Sequence, residues 1–540
     1  MRKPFSYYLV VLVMTIGLLL AACARPVPSP TSAPAPVVTT APTATPKASP
    51  TPTAAPAETP QYGGTLKIQT SDVPFQGFLP AIMTTTWPYS VTAAYESLMW
   101  RDGKGQFQPW LATDWKLSPD MKSLTLTLRK GVRFHDGTDF NAAAAKWNIE
   151  KRKALKLTDY TEVTSVDIID DYTVRLNLSE YRVTTFVPLA SAANSTGGYM
   201  YSPTAAQRMG IDWATWNPVG TGPFKFVRYE QGLRYITERF DGYWQKGKPY
   251  LDKVEEDFIA DSLTASLAFQ KGDVHFITRV DAKTLTDLRA KGFKALPVLT
   301  DDVQTLVPDS ANPTSPFANK KVRLAMEYAI DREGIVGALG FGLYEASYEA
   351  ASTNGYAYVP ELEKRRYDTA KAKQLLSEAG YPNGFKTTVY AMTSSPREVI
   401  VAVVTNLKEV GINATLEPVA TGRYVQLYRE GWSGLVYQVL WDQPDWLFRL
   451  DGRYEPASNV SVLKPPDFVK LMGQALVSPD FPTQKQRAQQ LVKMMYDEVM
   501  ITPLYAWGYG TMYRDTVGNP ESIQSRSAKD YGLANAWLRK

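Results

Sequence analysis

Hydrophobic and polar positions alternate in two different periods along this chain. From Ser123 to Arg129 the run Ser-Leu-Thr-Leu-Thr-Leu-Arg alternates strictly, which puts Leu124, Leu126 and Leu128 on one face of a predicted strand. Gly131 interrupts it, Val132 and Phe134 resume the alternation, and Asp136-Gly137 marks a turn. Asn141 is then placed to cap a helix running from Ala142 to Ile149. The period becomes helical over Lys320 to Ile335, with Val322, Ala325, Met326 and Ala329 on one side. Asp368 opens another helix as its N-cap. Ala372, Leu375, Leu376 and Ala379 follow at i, i+3, i+4 and i+7, and Gly380 stops the helix with Pro382 beyond. Strands and helices intermix without a repeat, so the predicted class is α/β or α+β with several lobes.

The N-terminal segment follows neither period. Arg2 and Lys3 precede an uncharged apolar stretch from Phe5 to Leu20, which ends in Leu20-Ala21-Ala22-Cys23. This is the anatomy of an export signal. A cysteine directly after Leu-Ala-Ala resembles a bacterial lipobox, in which the thiol is acylated and becomes the new N-terminus. Residues 1–23 are therefore expected to be a lipoprotein signal peptide ending at Cys23. The alternative is an uncleaved membrane anchor, because the run is nearly long enough to span a bilayer. Either reading puts the rest of the chain outside the cytoplasm. Residues 24–60 are almost entirely Pro, Ala, Thr, Ser and Val, a composition that cannot bury a core and favours extended polyproline-II, rising about 3.1 Å per residue. They read as a tether, or alternatively as a proline-rich ligand for a recognition domain.

The remaining chain, about 480 residues from Tyr62 to Lys540, is too long for one small core and implies two or three subdomains. The formal charge of +5 is concentrated in the leader and tether, where Arg2, Lys3, Arg25 and Lys47 outnumber Glu58. No basic tract stands out in the body, which argues against nucleic acid as a partner. Cys23 is the single cysteine, so no disulfide can form within the chain. Packing must hold the body together, and 13 Trp, 31 Tyr and 20 Phe offer large apolar surfaces for it.

Catalytic motifs are missing. The two histidines, His135 and His275, lie far apart, and neither His-x-His nor His-Glu-x-x-His spacing occurs, so an imidazole metal site is not expected. Gly431-Trp432-Ser433-Gly434 has the wrong spacing for a nucleophile elbow, and Gly340-Phe341-Gly342 lacks the third glycine of a dinucleotide fingerprint. No phosphate-binding loop is present. The 54 acids supply many pairs of the glycosidase kind by chance alone, and none is marked by its sequence context. The expectation is a protein that is not an enzyme and carries no cofactor or metal.

Several segments, taken together and in order, resemble one family. They are Tyr62-Gly63-Gly64-Thr65-Leu66, Tyr95-Glu96-Ser97-Leu98 and Gln108-Pro109-Trp110-Leu111-Ala112-Thr113-Asp114-Trp115. Most specific is Leu128-Arg129-Lys130-Gly131-Val132-Arg133-Phe134-His135-Asp136-Gly137-Thr138. Gly220-Thr221-Gly222-Pro223-Phe224, Tyr243-Trp244, Arg323 to Arg332 and Ala372 to Pro382 complete the set. The chain is similar to the family 5 extracytoplasmic solute-binding proteins of ABC importers, which handle peptides, nickel and some oligosaccharides. His135 and His275 are read as structural, in a hairpin turn and a strand.

The resemblance implies an α/β, periplasmic-binding-protein-like two-lobed clamp with an additional subdomain. Lobe I would be assembled from 61–95, 216–305 and 500–540, the extra subdomain from 96–215, and lobe II from 306–499. Ligand would lie between the lobes. In peptide-binding relatives an aspartate after a strand pairs with the peptide's N-terminal ammonium. The matching stretch here is Val439-Leu440-Trp441-Asp442-Gln443-Pro444-Asp445-Trp446. Asp442 fits by direct spacing, and Asp445 fits if Trp441 aligns with the family's preceding tryptophan. Trp446 stands where the family has proline and Gln443 where it has an aromatic, so peptide specificity is not carried by this motif alone; surface acids in a loop are the competing reading. Trp432, Tyr437, Trp441 and Trp446 crowd the same region and would suit sugar rings, and Thr70 and Ser71 follow the first strand where relatives line the cleft.

The function read from the sequence is capture of a solute, an oligopeptide first and an oligosaccharide as the alternative, for delivery to an ABC permease and its ATPase. The protein is expected to be a monomer, lipid-anchored on the outer face of the cell membrane. Nickel is disfavoured by the histidine count. A secreted lipoprotein hydrolase is the competing class, and a signalling receptor built on the same clamp is indistinguishable at this level.

Overall fold

The alternating leucines do what their period dictates: Ser123–Leu128 is a strand, and Leu124, Leu126 and Leu128 are buried on its inner face. In the computed structural model the described residues are 58–71, 77–80, 93–102, 105–155, 160–190, 198–441, 446–455, 457–524 and 532–540. Cys23, nearly all of the tether, Asp442 and Asp445 lie outside them, and the sheets and cores belong to the unit Glu58–Lys540. The strands of the body begin with β1 (Thr65–Thr70), β2 (Met99–Arg101), β3 (Phe107–Pro109), β4 (Ala112–Leu117), β5 (Ser123–Leu128), β6 (Val163–Asp170), β7 (Thr173–Leu178), β8 (Phe224–Glu230) and β9 (Arg234–Arg239). They continue with β10 (Lys253–Phe258), β11 (Phe276–Val280), β12 (Lys294–Pro308), β13 (Glu345–Ala346), β14 (Phe385–Met392), β15 (Ile412–Val419), β16 (Leu435–Trp441) and β17 (Thr502–Tyr513).

One 11-stranded sheet runs in the order β15-β14-β16-β12-β17-β11-β1-β10-β9-β8, with β13 added beside β17. A second sheet, β4-β5-β7-β6, is antiparallel throughout. The large sheet has a parallel group at each end. β1 is parallel to β10 and β11, and β14 is parallel to β15 and β16. Parallel neighbours need crossovers, and helices Ser262–Lys271, Arg397–Glu409 and Thr421–Glu430 supply them. Between the two groups lie only the long strands β12 and β17, which pair from Lys294↔Tyr513 to Leu306↔Thr502 with a register shift between Leu299 and Asp302.

Apolar faces close each part separately. Leu66, Ile68, Phe224, Val254 and Phe276 form a core at the β1 end. Leu306, Val322, Ala325, Met326, Leu376, Val389 and Leu435 form another at the β14 end. A third runs from Leu124, Leu126 and Leu176 of the small sheet to Leu447, Phe468 and Leu491 of the helices beyond β16.

Two predicted helices differ in extent. Asn141 caps as expected, its side chain accepting from the Ala144 N–H at 3.1 Å, but the helix continues to Ala154. The single helix predicted over 320–335 is two, Lys320–Ala329 and Arg332–Leu339. Asp331 breaks it by capping the second, accepting from the Gly334 N–H. The break turns Arg332 inward, where it donates to the Glu327 carboxylate at 2.7 Å and to the Pro503 carbonyl at 2.6 Å. By contrast the Asp368 helix, Thr369–Glu378, ends at Gly380 as its sequence dictates.

The family-like motifs meet at one buried carboxylate. Glu96 is fully buried and accepts from Trp110 Nε1 at 2.9 Å, the Tyr243 hydroxyl at 2.8 Å and Trp244 Nε1 at 3.0 Å. Arg129 covers the Trp244 ring at 4.3 Å and donates to the Trp110 carbonyl. His135 Nε2 donates to the Gly222 carbonyl at 2.9 Å, and its Nδ1 accepts from the Gly220 N–H. That carbonyl can only accept, which fixes the tautomer. Gly220 must be glycine here, since a Cβ would lie 2.1 Å from the Ala94 carbonyl oxygen. The residues come from 96, 110, 129–135, 220–222 and 243–244, so this knot ties the small sheet to the segments flanking β8 and β9.

Burial pushes Glu96 up to about 7, with its hydrogen-bond donors pulling the other way. Burial pushes His135 down to about 4, against the Gly222 carbonyl. The raised carboxyl stabilises the fold at low pH and loses that contribution as pH rises from 4.5 to about 7. The lowered imidazole acts oppositely, losing its contribution as pH falls from 6.5 to about 4. Glu96→Gln removes the first gradient. The unfolding free energy of the variant relative to wild type should therefore climb by about 1.4 kcal/mol per pH unit across that window. Urea melts at several pH values measure it; a pH-independent difference would mean Glu96 does not change charge there. At the helix break, Arg332→Met strands a buried Glu327 and should cost about 3–5 kcal/mol. Adding Glu327→Gln should restore a large part, and equal stability of single and double variants would contradict the pairing.

Candidate functional site

Register determines where the strand ends point. β11 runs antiparallel to β17, from Phe276 opposite Tyr513 to Val280 opposite Gly510, so it advances toward the Leu299–Asp302 shift in β12. β1 and β10 run the same way and end at Thr70 and Phe258. From the opposite end of the sheet, β16 runs antiparallel to β12 and finishes with Trp441 opposite Asp302. β14 and β15, parallel to β16, finish at Met392 and Val419. Carboxyl ends from both parallel groups are thus directed at one place along β12 and β17. Ligands of open α/β sheets bind outside the carboxyl ends of strands, and here two such edges are opposed.

The polar groups at this place are ordered by the strands themselves. Gln69 is buried, and its side-chain amide donates to the Ile259 carbonyl at 2.7 Å. The Thr278 hydroxyl donates to the Gln69 carbonyl at 3.1 Å, joining β11 to β1. Thr70 is buried at the end of β1 and Ser71 is exposed just beyond it. Asp302 is buried in register with both Trp441 and Trp507. Sequence reasoning does not single out Gln69, Thr278 or Asp302. Only the polar interruptions in otherwise β-forming runs mark them.

Trp441 ends β16, and Asp442 and Asp445 follow it in the chain outside the described residues. The other aromatics singled out in this region are buried. The Tyr437 hydroxyl hydrogen-bonds the Tyr505 hydroxyl at 2.9 Å, and Tyr505 stacks on Tyr344 at 4.9 Å. Trp446 is wholly buried and donates from Nε1 to the Ala350 carbonyl at 3.3 Å. The Leu447 N–H donates to the Tyr356 hydroxyl, so the start of helix Trp446–Tyr454 is fastened to the 347–362 segment. Trp432 is buried, its backbone N–H donating to Ser461 Oγ at 2.8 Å. Arg182, beyond the small sheet, reaches Asp451 of helix Trp446–Tyr454 at 2.7 Å. Burial raises the Asp451 carboxyl, and Arg182 counteracts it.

His275, just ahead of β11, accepts the Lys67 N–H at Nδ1 and is held between β1 and β17. Among the described residues no group of three or more His, Cys, Asp or Glu is arranged to hold a metal ion, and no helix is long and apolar enough to cross a membrane.

Comparison with known proteins agrees with this geometry. The family profile described as bacterial extracellular solute-binding proteins, family 5 Middle, matches residues 106–447. The glutathione-binding protein GsiB of Salmonella choleraesuis is 30% identical over 368 residues, covering 64% of this chain and 70% of that protein. Among solved structures, NikA from Brucella suis in complex with Fe(III)-EDTA superposes with a TM-score of 0.78 at 20% identity, covering 88% of this chain and 100% of that one. The oligopeptide-binding protein AppA from Bacillus subtilis, in complex with a nonapeptide, gives 0.67 at 23% identity, covering 89% and 100%. The architecture is the α/β two-lobed one that the sequence resemblance implied. The chain belongs to family 5 of the bacterial extracellular solute-binding proteins.

Proposed function

We propose that the protein captures an oligopeptide between its two lobes and delivers it to an ABC importer. The observation that carries this is the opposition of two sets of strand carboxyl ends across β12 and β17. The relatives named for glutathione and for a nonapeptide favour a peptide over other solutes. Lobe I is taken as 61–95, 216–305 and 500–540, the extra subdomain as 96–215 and lobe II as 306–499. Closure would exclude water and strengthen each polar contact to the ligand. Asp442 or Asp445, following β16 in the chain, is assigned to the peptide's ammonium, and Trp441, Thr70 and Ser71 are assigned to further ligand contacts. Trp432, Tyr437 and Trp446, which are buried, support the site rather than contact the ligand. Acylation of Cys23, at the end of the signal segment, would anchor the protein by lipid to the outer face of the cell membrane, with residues 24–60 as its tether. Binding needs no turnover, and an importer's permease and ATPase are the partners.

Mass spectrometry of small molecules released on denaturing the purified protein tests the ligand class. A ladder of peptides is the expected result, and hexose oligomers would replace the peptide reading. Asp442→Asn and Asp445→Asn then separate the two candidates. Loss of a charge-assisted bond should weaken peptide binding by roughly 10- to 100-fold in one variant only, measured by calorimetry. Unchanged affinity in both would remove this segment from the site.

A further inference from the structure

A second feature lies one residue along β17 from the Asp302–Trp507 pair. There β13 pairs with β17, Glu345 opposite Ala506, and the chain from 345 to 364 folds around a small open cavity of about 40 Å³. Glu345, Ser347, Tyr348, Glu349, Tyr358 and Lys364 line it. Glu349 is only 6% exposed. One of its carboxyl oxygens accepts from the Val359 N–H at 3.0 Å, while the other has no hydrogen-bond partner among the described residues. The Ser347 hydroxyl fixes the Glu349 backbone by donating to its carbonyl at 3.0 Å. Glu345 accepts from the Thr353 hydroxyl at 2.9 Å. Lys364, exposed at the rim, holds its ammonium 5.6 Å over the Tyr348 ring, and no ion pair among the described residues joins a cation to Glu349.

A buried carboxyl that faces open space without a cation is costly as a charge, and it is relieved either by a proton or by a cation from outside. Two acids and two tyrosine rings around the space offer charge-assisted hydrogen bonds and aromatic faces to a cation, while the single cation of the lining, Lys364, is held at the rim over Tyr348. We propose that this cavity receives a cationic group of the captured solute, a primary ammonium or a guanidinium, with Glu349 as its buried acceptor and Glu345 as the second carboxylate. The proposal rests on the solute-capture reading above.

The groups that face Glu349 are Glu345, Tyr348, Tyr358, Glu361 and Lys364, with Arg332, Glu333 and Arg366 behind Tyr348. Burial pushes Glu349 up to about 8, with the Val359 N–H pulling down and Glu361 adding to the rise. A cation must therefore displace a proton at neutral pH.

The probe is n-butylammonium chloride, titrated calorimetrically into the full chain, with n-butanol as the neutral comparison. Butylammonium should bind and butanol should not. Affinity for butylammonium should rise by up to about tenfold per pH unit and level off above pH about 8. Glu349→Gln keeps an acceptor for Val359 and should weaken binding at least tenfold with an unchanged circular dichroism spectrum. Lys364→Met, which removes a competing cation at the rim, should tighten it severalfold. Equal binding of butanol and butylammonium, or indifference to Glu349→Gln, overturns the assignment. Should Glu349→Gln not fold, the pH series and Lys364→Met decide alone: a flat pH profile with unchanged affinity in Lys364→Met overturns it equally. Release of neutral sugars in place of peptides would sink the oligopeptide reading and the cationic solute with it, whereas release of peptides without butylammonium binding would overturn the Glu349 assignment alone, so the two failures are distinguishable.

Discussion

β12 and β17 hydrogen-bond to each other over most of their lengths, and every other strand of the large sheet hangs from one side or the other of that pair. β11 and the β1 group attach to the last residues of β17, and β16 and the β14 group attach to the later part of β12. The pair is antiparallel, and the strands next to it run back toward its middle from both ends. This geometry forces the parallel groups to aim their carboxyl ends at one place. The register shift between Leu299 and Asp302 lies at that place. A bulged, locally twisted stretch of ladder is a natural point for two halves to change their angle, because pairing is interrupted there already.

A clamp needs two rigid bodies on either side of such a point, and the cores are arranged accordingly. The Leu66–Phe276 core and the Leu306–Leu435 core are separate clusters, the first completed by Val517, Ile523 and Leu533 near the C-terminus and the second by Val399, Ile400, Val403 and Leu407 of the crossover helix Arg397–Glu409. The small sheet adds a third element. It is locked to the β8–β9 segments through the Glu96 and His135 knot, and it touches the far side through Arg182 and Asp451. The knot is buried and both oxygens of Glu96 within it are hydrogen-bonded, whereas the Arg182–Asp451 pair is partly exposed. The small sheet is joined to the far side by more than this pair, because one apolar core runs from Leu124, Leu126 and Leu176 to Leu447, Phe468 and Leu491 of the helices beyond β16.

Legibility in the sequence follows the range of the interaction. The Asp368 helix and the Leu124–Leu128 strand are governed by period and caps, and both can be read from neighbours a few residues apart. The break in the helix expected over 320–335 escapes such reading, because it depends on Arg332 finding Glu327 and the Pro503 carbonyl, a partner 171 residues away. The family-like motifs are visible as words, but their meaning is not: Glu96, Trp110, Arg129, His135 and Trp244 look unrelated until the chain brings them together. The strand ends that define the candidate site are set by register between segments far apart in the chain, which no local pattern encodes. Aromatic crowding after Gly431 looks like a binding face, yet Trp432, Tyr437 and Trp446 are buried. Tryptophan and tyrosine serve cores and ligands equally well, and composition cannot separate the two uses.

Two buried glutamates show how environment divides one residue type into two uses. Both are lifted out of the ordinary carboxylate range mainly by burial. Glu96 meets three aromatic donors contributed by distant segments, so its oxygens are occupied and its role is to hold those segments in place. Glu349 meets one backbone N–H and a cavity. A fold that needed Glu349 only to satisfy Val359 could use glutamine without the cost of burying an acid. Keeping the acid there is rational when a cation comes and goes, because the proton it holds in the empty state is exchanged for the ligand's charge on binding. Saturation with donors marks the structural carboxyl, and an open oxygen facing space marks the one poised for a ligand.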